Sequence, residues 1–383
     1  MSDTTTVPTL TDLGWDETTA GAFDDAVTGS PLRGSSVAPP TRNVGPKDGA
    51  FDLVAGRVGR VDRGRVTVHT ADGPTPALVR LPAGSELEDQ PTTGDWVGLE
   101  RRPDGDVVRV VLPRSSAIVR KAAGERSDAQ VMAANLDHVL VAVPFETRVN
   151  LSTIERYLVV AWESGAQPLV VLTKCDLAYD PDATRAEVET AAPGVDVHVV
   201  SAETGEGVDV LAAVLSGGTT ALVGQSGAGK STLVNVLAGE EVQLVSGTRQ
   251  DGKGRHTTTA RELIALTGGG VLIDTPGLRS IGLHDDDDGV ALTFPDVEGL
   301  IASCRFADCA HETEPGCAVQ AALASGELDE RRWHSWGKLQ REAAWIAMRT
   351  DPAARAAARK RWAAIGKSGK ARAALKRGRD PFA

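Results

Sequence analysis

The sequence predicts a multi-domain chain: a small closed β-barrel, then a doubly wound α/β domain, then a mainly helical module. Three observations carry that expectation. Short Val-rich runs separated by Gly, Pro and Asp turns crowd residues 49–115; apolar runs alternate with helical stretches around a glycine-rich loop through 116–288; three cysteines and a histidine cluster in 289–383. At 383 residues the chain is too long for one compact domain. Its 41% hydrophobic and 24% charged content is that of an ordinary globular protein and excludes a wholly disordered one. No apolar run approaches the roughly 20 residues that span a bilayer. No basic stretch followed by an apolar one opens the sequence, so no signal peptide is expected and the expected compartment is the cytoplasm.

The first 32 residues carry six acids and no base, and 1–48 is rich in Thr, Asp, Pro, Gly and Ser. A disordered acidic arm is expected there, with one short helix around 13–26. In 49–115, strands are expected over 54–61, 65–70, 75–81, 95–101 and 106–112, because turn signals such as Asp72-Gly73-Pro74 and Pro103-Asp104-Gly105 separate them. Five short strands in about 65 residues suit a Greek-key barrel of the OB type. Arg57, Arg60, Arg63 and Arg65 crowd one hairpin and suggest contact with nucleic acid.

In 116–288 the apolar runs 137–143, 169–172, 197–200, 221–223 and 271–273 read as buried parallel strands, and helices are expected between them, over 151–164 and 230–237 among others. One inter-element loop, Gly224-Gln225-Ser226-Gly227-Ala228-Gly229-Lys230-Ser231, fits G-x-x-x-x-G-K-[ST]. Its glycines let backbone N–H groups approach phosphate oxygens, Lys230 reaches the β and γ phosphates, and Ser231, followed by Thr232, opens the helix and ligates Mg²⁺. Asp274-Thr275-Pro276-Gly277 follows a strand, which places Asp274 on Mg²⁺ through water and the Gly277 N–H at the γ-phosphate. Leu278 stands where Ras-type GTPases carry a water-orienting glutamine, so another group must orient water. His256 is the nearest polar candidate, with a partner-contacting loop histidine as the alternative, and Thr258 is favoured over Thr257 to complete the Mg²⁺ shell.

Thr173-Lys174-Cys175-Asp176 ends another buried strand, where ligands bind in such sheets. Asp176 can accept from the guanine N1–H and N2 amine, a donor pair that adenine lacks; Lys174 would lie along the base, and Ser201-Ala202 would back it. Thr173 stands where the motif usually has Asn and keeps only one of the amide's hydrogen bonds. These base-reading elements precede the phosphate loop, whereas an ordinary GTPase has them after it. The order is that of a circularly permuted P-loop GTPase domain.

In 289–383, Cys304, Cys309, His311 and Cys317 offer three thiolates and an imidazole, a set suited to one tetrahedral structural Zn²⁺. Residues 328–349 read as one helix with Trp333, Trp336, Leu339, Ala343 and Ile346 as its buried stripe, and 355–379 holds ten Lys or Arg and no acid.

Taken together, Gly94-Asp95-Trp96-Val97, Leu112-Pro113-Arg114, the run 130–137, His256-Thr257-Thr258-Thr259, the two GTPase motifs and Glu314-Pro315-Gly316-Cys317-Ala318-Val319 resemble the ribosome small-subunit-dependent GTPase A (RsgA) family over about 56–349. The resemblance implies a late maturation factor that binds the 30S subunit and its 16S rRNA and hydrolyses GTP when the particle stimulates it. Thr173, the acidic arm and the basic tail are departures from the family pattern. Nothing in the sequence demands more than a monomer. The competing classes are a P-loop ATPase or kinase, against which Asp176 argues, and an RNA-binding module with structural nucleotide, against which Lys230, Ser231 and Asp274 argue.

Overall fold

The computed structural model describes residues 8–28, 53–62, 64–81, 89–121, 129–145, 149–242, 261–274 and 288–350. They fall into two compact units, Met1–Gly282 and Leu283–Ala383.

In the first unit, β1 (Leu53–Asp62), β2 (Arg65–Thr70), β3 (Gly73–Val79), β4 (Trp96–Glu100) and β5 (Asp106–Val111) close in the order β1-β2-β3-β5-β4-β1. Only β3 and β5 run parallel; this is the barrel of OB type that the turn spacing predicts. Strand period two turns Val66 and Val68 inward with Val58, Val97, Leu99 and Val108. The barrel is followed by a hairpin, β6 (Ala117–Lys121) and β7 (Ala129–Ala134). Gly94 lies where the two meet, at φ +95°, and a Cβ there would fall 2.2 Å from the Ala134 carbonyl oxygen, so no larger residue fits.

The α/β region contains β8 (His138–Pro144), α2 (Leu151–Glu163), β9 (Gln167–Thr173), α3 (Pro181–Ala191), β10 (Asp196–Val200), α4 (Val208–Leu215), β11 (Thr219–Gly224), α5 (Lys230–Ala238), β12 (Glu262–Ala265) and β13 (Val271–Asp274). Five strands pair in parallel in the order β10-β9-β8-β11-β13, and β12 lies antiparallel beside β13. Leu140, Leu169, Val171, Leu222, Leu233, Val234 and Leu272 form the core between sheet and helices. Asn150 and Asp180 cap α2 and α3 by accepting the N–H groups of Thr153 and Ala183. The barrel and this region, read from the sequence as 49–115 and 116–288, form one unit because β12 also pairs with β1, Arg60 opposite Glu262.

Two expectations are corrected here. The acidic arm, expected to be disordered apart from one short helix around 13–26, is folded over 8–28: α1 (Glu17–Thr28), which overlaps that helix, and the turn before it put a fully buried Leu13 and a buried Ala26 against Trp96, Leu112, Leu263 and Val271. Trp15 stands edge-on to Trp96 at 5.0 Å. The seam between barrel and α/β strands is apolar, and burying each large side chain there contributes about 1.5–3 kcal/mol, enough to order a short helix. The arginine patch, in turn, loses Arg57, which is 1% exposed. Its guanidinium donates to the carbonyl oxygens of Leu13, Gly94 and Asn135 and to the Thr219 hydroxyl, and lies 4.9 Å from the Trp96 ring. Burial holds its pKa down at about 10, against the pull of Asp137 and Asp95. Arg60 pairs with Asp62, Arg65 is exposed, and Arg63 lies outside the described residues.

The second unit holds α6 (Asp288–Thr293), α7 (Pro295–Ala302), α8 (Ala318–Ser325) and α9 (Glu330–Thr350). Leu339 and Ala343 of α9 are buried as expected, but Arg332 and Ser335 complete the buried stripe in place of Trp333 and Trp336. The reason is Arg332, which makes two 2.6 Å bonds to the Asp296 carboxylate and lies over the Phe294 ring. Trp333 and Trp336 stack on each other, half-buried, and Ile346 is also half-buried. No described helix is long and apolar enough to cross a membrane.

Candidate nucleotide site and metal centre

The phosphate loop leaves the carboxyl end of β11 and enters α5. Gly224 at φ +141° begins it, and a Cβ there would lie 2.3 Å from the Ala142 carbonyl oxygen of the neighbouring strand. Gly227 and Gly229 also have positive φ, at +81° and +73°, a backbone course that only glycine follows cheaply. The Lys230 ammonium folds back over the loop, donating to the carbonyl oxygens of Gly224 at 2.8 Å and Gln225 at 2.5 Å. Ser231 and Thr232 sit half-buried in the first turn of α5, while Gln225 and Ser226 are exposed. N–H groups gathered at a helix N-terminus, with an ammonium above them, form an anion site.

The base-reading loop lies at the carboxyl end of β9 and is tied to this loop. The Thr173 hydroxyl donates to the Ala228 carbonyl at 2.8 Å, and Lys174 Nζ donates to the Gly227 carbonyl at 2.6 Å. Lys174 adopts a left-handed backbone conformation, φ +64°, which turns the chain so that Asp176 is exposed beside it. The Ser201 hydroxyl, at the end of β10, donates to Asp176 Oδ1 at 2.5 Å and fixes one carboxylate oxygen. Ala202 follows, half-buried. The Cys175 side chain is buried away from this surface and donates to Glu206; burial, reinforced by Glu206, pushes its thiol up. Strand pairing explains the convergence: β9 is parallel to β10 with Thr173 opposite Val200, and β8 joins β9 to β11, so the three loops emerge at the same carboxyl end of the sheet.

In the second unit the ligand atoms of Cys304, Cys309, His311 and Cys317 all lie within 4.8 Å of one another. Cys304 Sγ is 3.5 Å from His311 Nδ1 and 3.9 Å from Cys317 Sγ, and Cys317 Sγ is 3.6 Å from the same nitrogen. A zinc tetrahedron with bonds of about 2.3 Å to sulfur and 2.0 Å to nitrogen has edges of roughly 3.5–3.8 Å, so the donor set fits the ion. Cys304 follows α7 and Cys317 caps α8. The loop between them is shaped by the Glu314 carboxylate, which accepts the N–H groups of Ala310, Glu312 and Thr313. His311 sits at φ +60°, and its carbonyl accepts from Gln320 Nε2 at 2.7 Å. Desolvation and the neighbouring Cys317 and Cys304 sulfurs push the Cys309 thiol up to about 11; desolvation raises Cys304 too, but the amides of Val319 and Ala318 prevail and hold it below its ordinary range.

A model of the RsgA GTPase family matches residues 111–284. A Streptomyces avermitilis protein named small ribosomal subunit biogenesis GTPase RsgA is 55% identical over 332 residues, covering 85% of this chain and 89% of the relative. The chain belongs to the RsgA GTPase family. An RsgA of the same name from Streptomyces coelicolor is 51% identical over 374 residues, 96% of each chain. Among solved structures, YjeQ from Thermotoga maritima superposes with a TM-score of 0.56 at 27% identity, covering 76% of this chain and 98% of its own. YloQ, described as a circularly permuted GTPase, shares the fold with a TM-score of 0.53 at 24% identity, over 78% of this chain and 96% of its own.

As an RsgA GTPase the chain is a GTP hydrolase, and GTPases of this family use GTP with Mg²⁺. The structure brings together the two loops that motif order predicts, Gly224–Ser231 and Thr173–Asp176, with Ser201. Asp274 ends β13 with its backbone beside Leu222 of β11. His256, Thr258, Gly277 and Leu278 lie outside the described residues. Sequence reasoning missed Glu206, the partner of Cys175, and Gln320, which steadies His311. No spacing signal marks either residue.

Proposed function

We propose that this RsgA-family protein serves as a nucleotide switch of small-subunit assembly: it docks on the 30S particle, contacts the 16S rRNA, and hydrolyses GTP when the particle stimulates it. The names of the Streptomyces relatives support the partner. The single observation that carries the nucleotide chemistry is the tie between base loop and phosphate loop through Thr173 and Lys174.

In this reading Asp176 takes the guanine N1–H and N2 amine, Lys174 lies along the base, and Ser201-Ala202 backs it. Amides from Gly224 to Thr232 cradle the phosphates, and Lys230 neutralises charge on the transferring group. Ser231, Thr258 and Asp274 would hold Mg²⁺, which supplies charge neutralisation at the β and γ phosphates. Gly277 senses the γ-phosphate, and His256 orients the attacking water in place of the glutamine absent at Leu278. Cys304, Cys309, His311 and Cys317 hold one structural Zn²⁺; four protein donors leave no position for substrate. The protein works as a cytoplasmic monomer.

The test is turnover of GTP and of ATP with and without purified 30S subunits. GTP hydrolysis should rise saturably with subunit concentration and vanish in Lys230→Ala, while ATP is not turned over. Comparable ATP turnover, or GTP turnover indifferent to subunits, would reject the reading.

A further inference from the structure

We propose that the corner of the α/β domain built from residues 175–210 docks a basic, extended protein segment. The inference rests on the small-subunit reading for the source of that segment.

Three observations meet at this corner. First, β10 is an end strand that, among the described residues, pairs only with β9. The turn at Glu206–Gly207 closes on Val199 and Ser201, which leaves Asp196–His198, about 10 Å of edge, whose N–H and C=O groups another strand can take up. A groove of about 640 Å³ follows β10 between α3 and α4, walled by Val195, Val197, Val199 and Val210. His198 Nε2, in the same wall, is buried and has no hydrogen-bond partner among the described residues. Second, Leu177 and Tyr179 protrude in the loop between β9 and α3, the helix whose Arg185 and Glu189 line the groove; Leu177 is 72% exposed and Tyr179 fully so. Val210 on the groove wall is itself 56% exposed. Apolar groups gathered around a slot for a strand suit a peptide that lays down main chain and inserts alternate side chains.

Third, charge selects the occupant. From Cys175 to Val210 the chain carries nine Asp or Glu against one basic residue, Arg185. Arg185 is already paired with Glu189 at 2.8 Å. A phosphate backbone is repelled by such a surface, because its binding depends on Lys and Arg. A cationic protein segment is attracted. A small-subunit particle offers both rRNA and protein, and this corner selects the protein. The location matters for the reaction: Asp176 and Ser201 border the patch, so an occupant would sit beside the guanine-reading carboxylate.

The sign of a charge-reversal effect tests this. Asp182 and Asp196 are exposed; Asp196 lines the groove, Asp182 lies in the first turn of α3, whose Arg185 lines it, and neither belongs to the nucleotide contacts. The double variant Asp182→Lys/Asp196→Lys should weaken cosedimentation with 30S subunits by about tenfold and leave subunit-free GTP turnover unchanged. Tighter binding would mean that RNA covers the corner, and unchanged binding would mean that nothing does; either overturns the proposal. A photo-cross-linker at position 179, Tyr179→p-benzoylphenylalanine, should yield an adduct with a basic small-subunit protein in the GTP-analogue state. Particles that cosediment but give an rRNA adduct, or none, overturn this docking while leaving the small-subunit reading intact. Failure of the unsubstituted protein to cosediment removes both.

Discussion

The Thr173 hydroxyl donates to the Ala228 carbonyl at 2.8 Å and so joins the base-reading loop to the phosphate loop 55 residues later. Ala228 is fully buried, and no water competes for that carbonyl. A threonine thus makes a tie for which the motif usually supplies an asparagine. Thr173→Ala leaves the carbonyl unsatisfied at a cost of about 1–3 kcal/mol. We expect GTP affinity to fall by about tenfold, with Thr173→Asn restoring it. A titration with fluorescent nucleotide checks this, and an alanine variant that binds normally would show the tie to be dispensable.

Asp176 should decide the base. Its carboxylate is held by Ser201 at 2.5 Å and is exposed toward the loop mouth. Asp176→Asn exchanges an acceptor for an amide that can donate. GTP should weaken by roughly 100-fold, given about 1.5–3 kcal/mol for each hydrogen bond to a charged group, and xanthosine triphosphate should become the better ligand. Competition binding with the two nucleotides reads this directly; a retained preference for GTP would remove Asp176 from the base site.

Zinc should hold the second unit together. Cys309→Ala, His311→Ala and Cys317→Ala should each lose the metal by elemental analysis and lower the thermal transition of residues 283–383. Subunit-free GTP turnover should fall much less, since the four donors belong to a separate compact unit. Full zinc content in the His311 or Cys317 variant would overturn the ligand set.

The barrel should be acid-sensitive through His69. Its ring meets Gly59, where any Cβ would come within 2.3 Å of Nε2, and Nδ1 is buried with no partner among the described residues. Burial holds its pKa below the ordinary value, with Glu262 opposing and Arg57 assisting. The unfolded chain therefore binds the proton more readily than the folded one. The stabilisation from neutral His69 is complete above about pH 6.5 and is lost as pH falls through the lowered value. His69→Leu should flatten the decline of melting temperature between about pH 7 and 5. Parallel declines in both proteins would exclude this histidine.

Much of this architecture was legible in the residues. Val-rich alternation from Leu53 to Val111 marked the barrel, because one face of each strand must be apolar. The glycines of the phosphate loop marked a backbone course that few other residues permit. Arg57 was not legible: an arginine among arginines reads as surface charge, and only the closure of β1 on β4, with Leu13 and Thr219 brought alongside, shows that it is buried. The stripe of α9 was misread at Trp333 and Trp336 for a similar reason: Arg332 is buried by a bidentate partner, Asp296, that lies 36 residues away. Composition hid the docking of the arm, though not its short helix: Asp12, Asp16, Glu17 and Asp24 are exposed, while Leu13, Trp15 and Phe23 find a seam that does not exist until barrel and sheet have met. A Ser201 bond to Asp176 likewise depends on parallel pairing of β9 with β10, which local sequence does not encode.

The central claim is that GTP places this protein in the state that binds the small subunit. The most direct measurement is the equilibrium affinity for purified 30S subunits at one salt concentration, with a non-hydrolysable GTP analogue and with GDP. The γ-phosphate should order the segments that contact it, and hydrolysis should release them. The account expects the analogue complex to bind at least about tenfold more tightly, a differential of about 1.4 kcal/mol. Equal affinity in the two nucleotide states would contradict it.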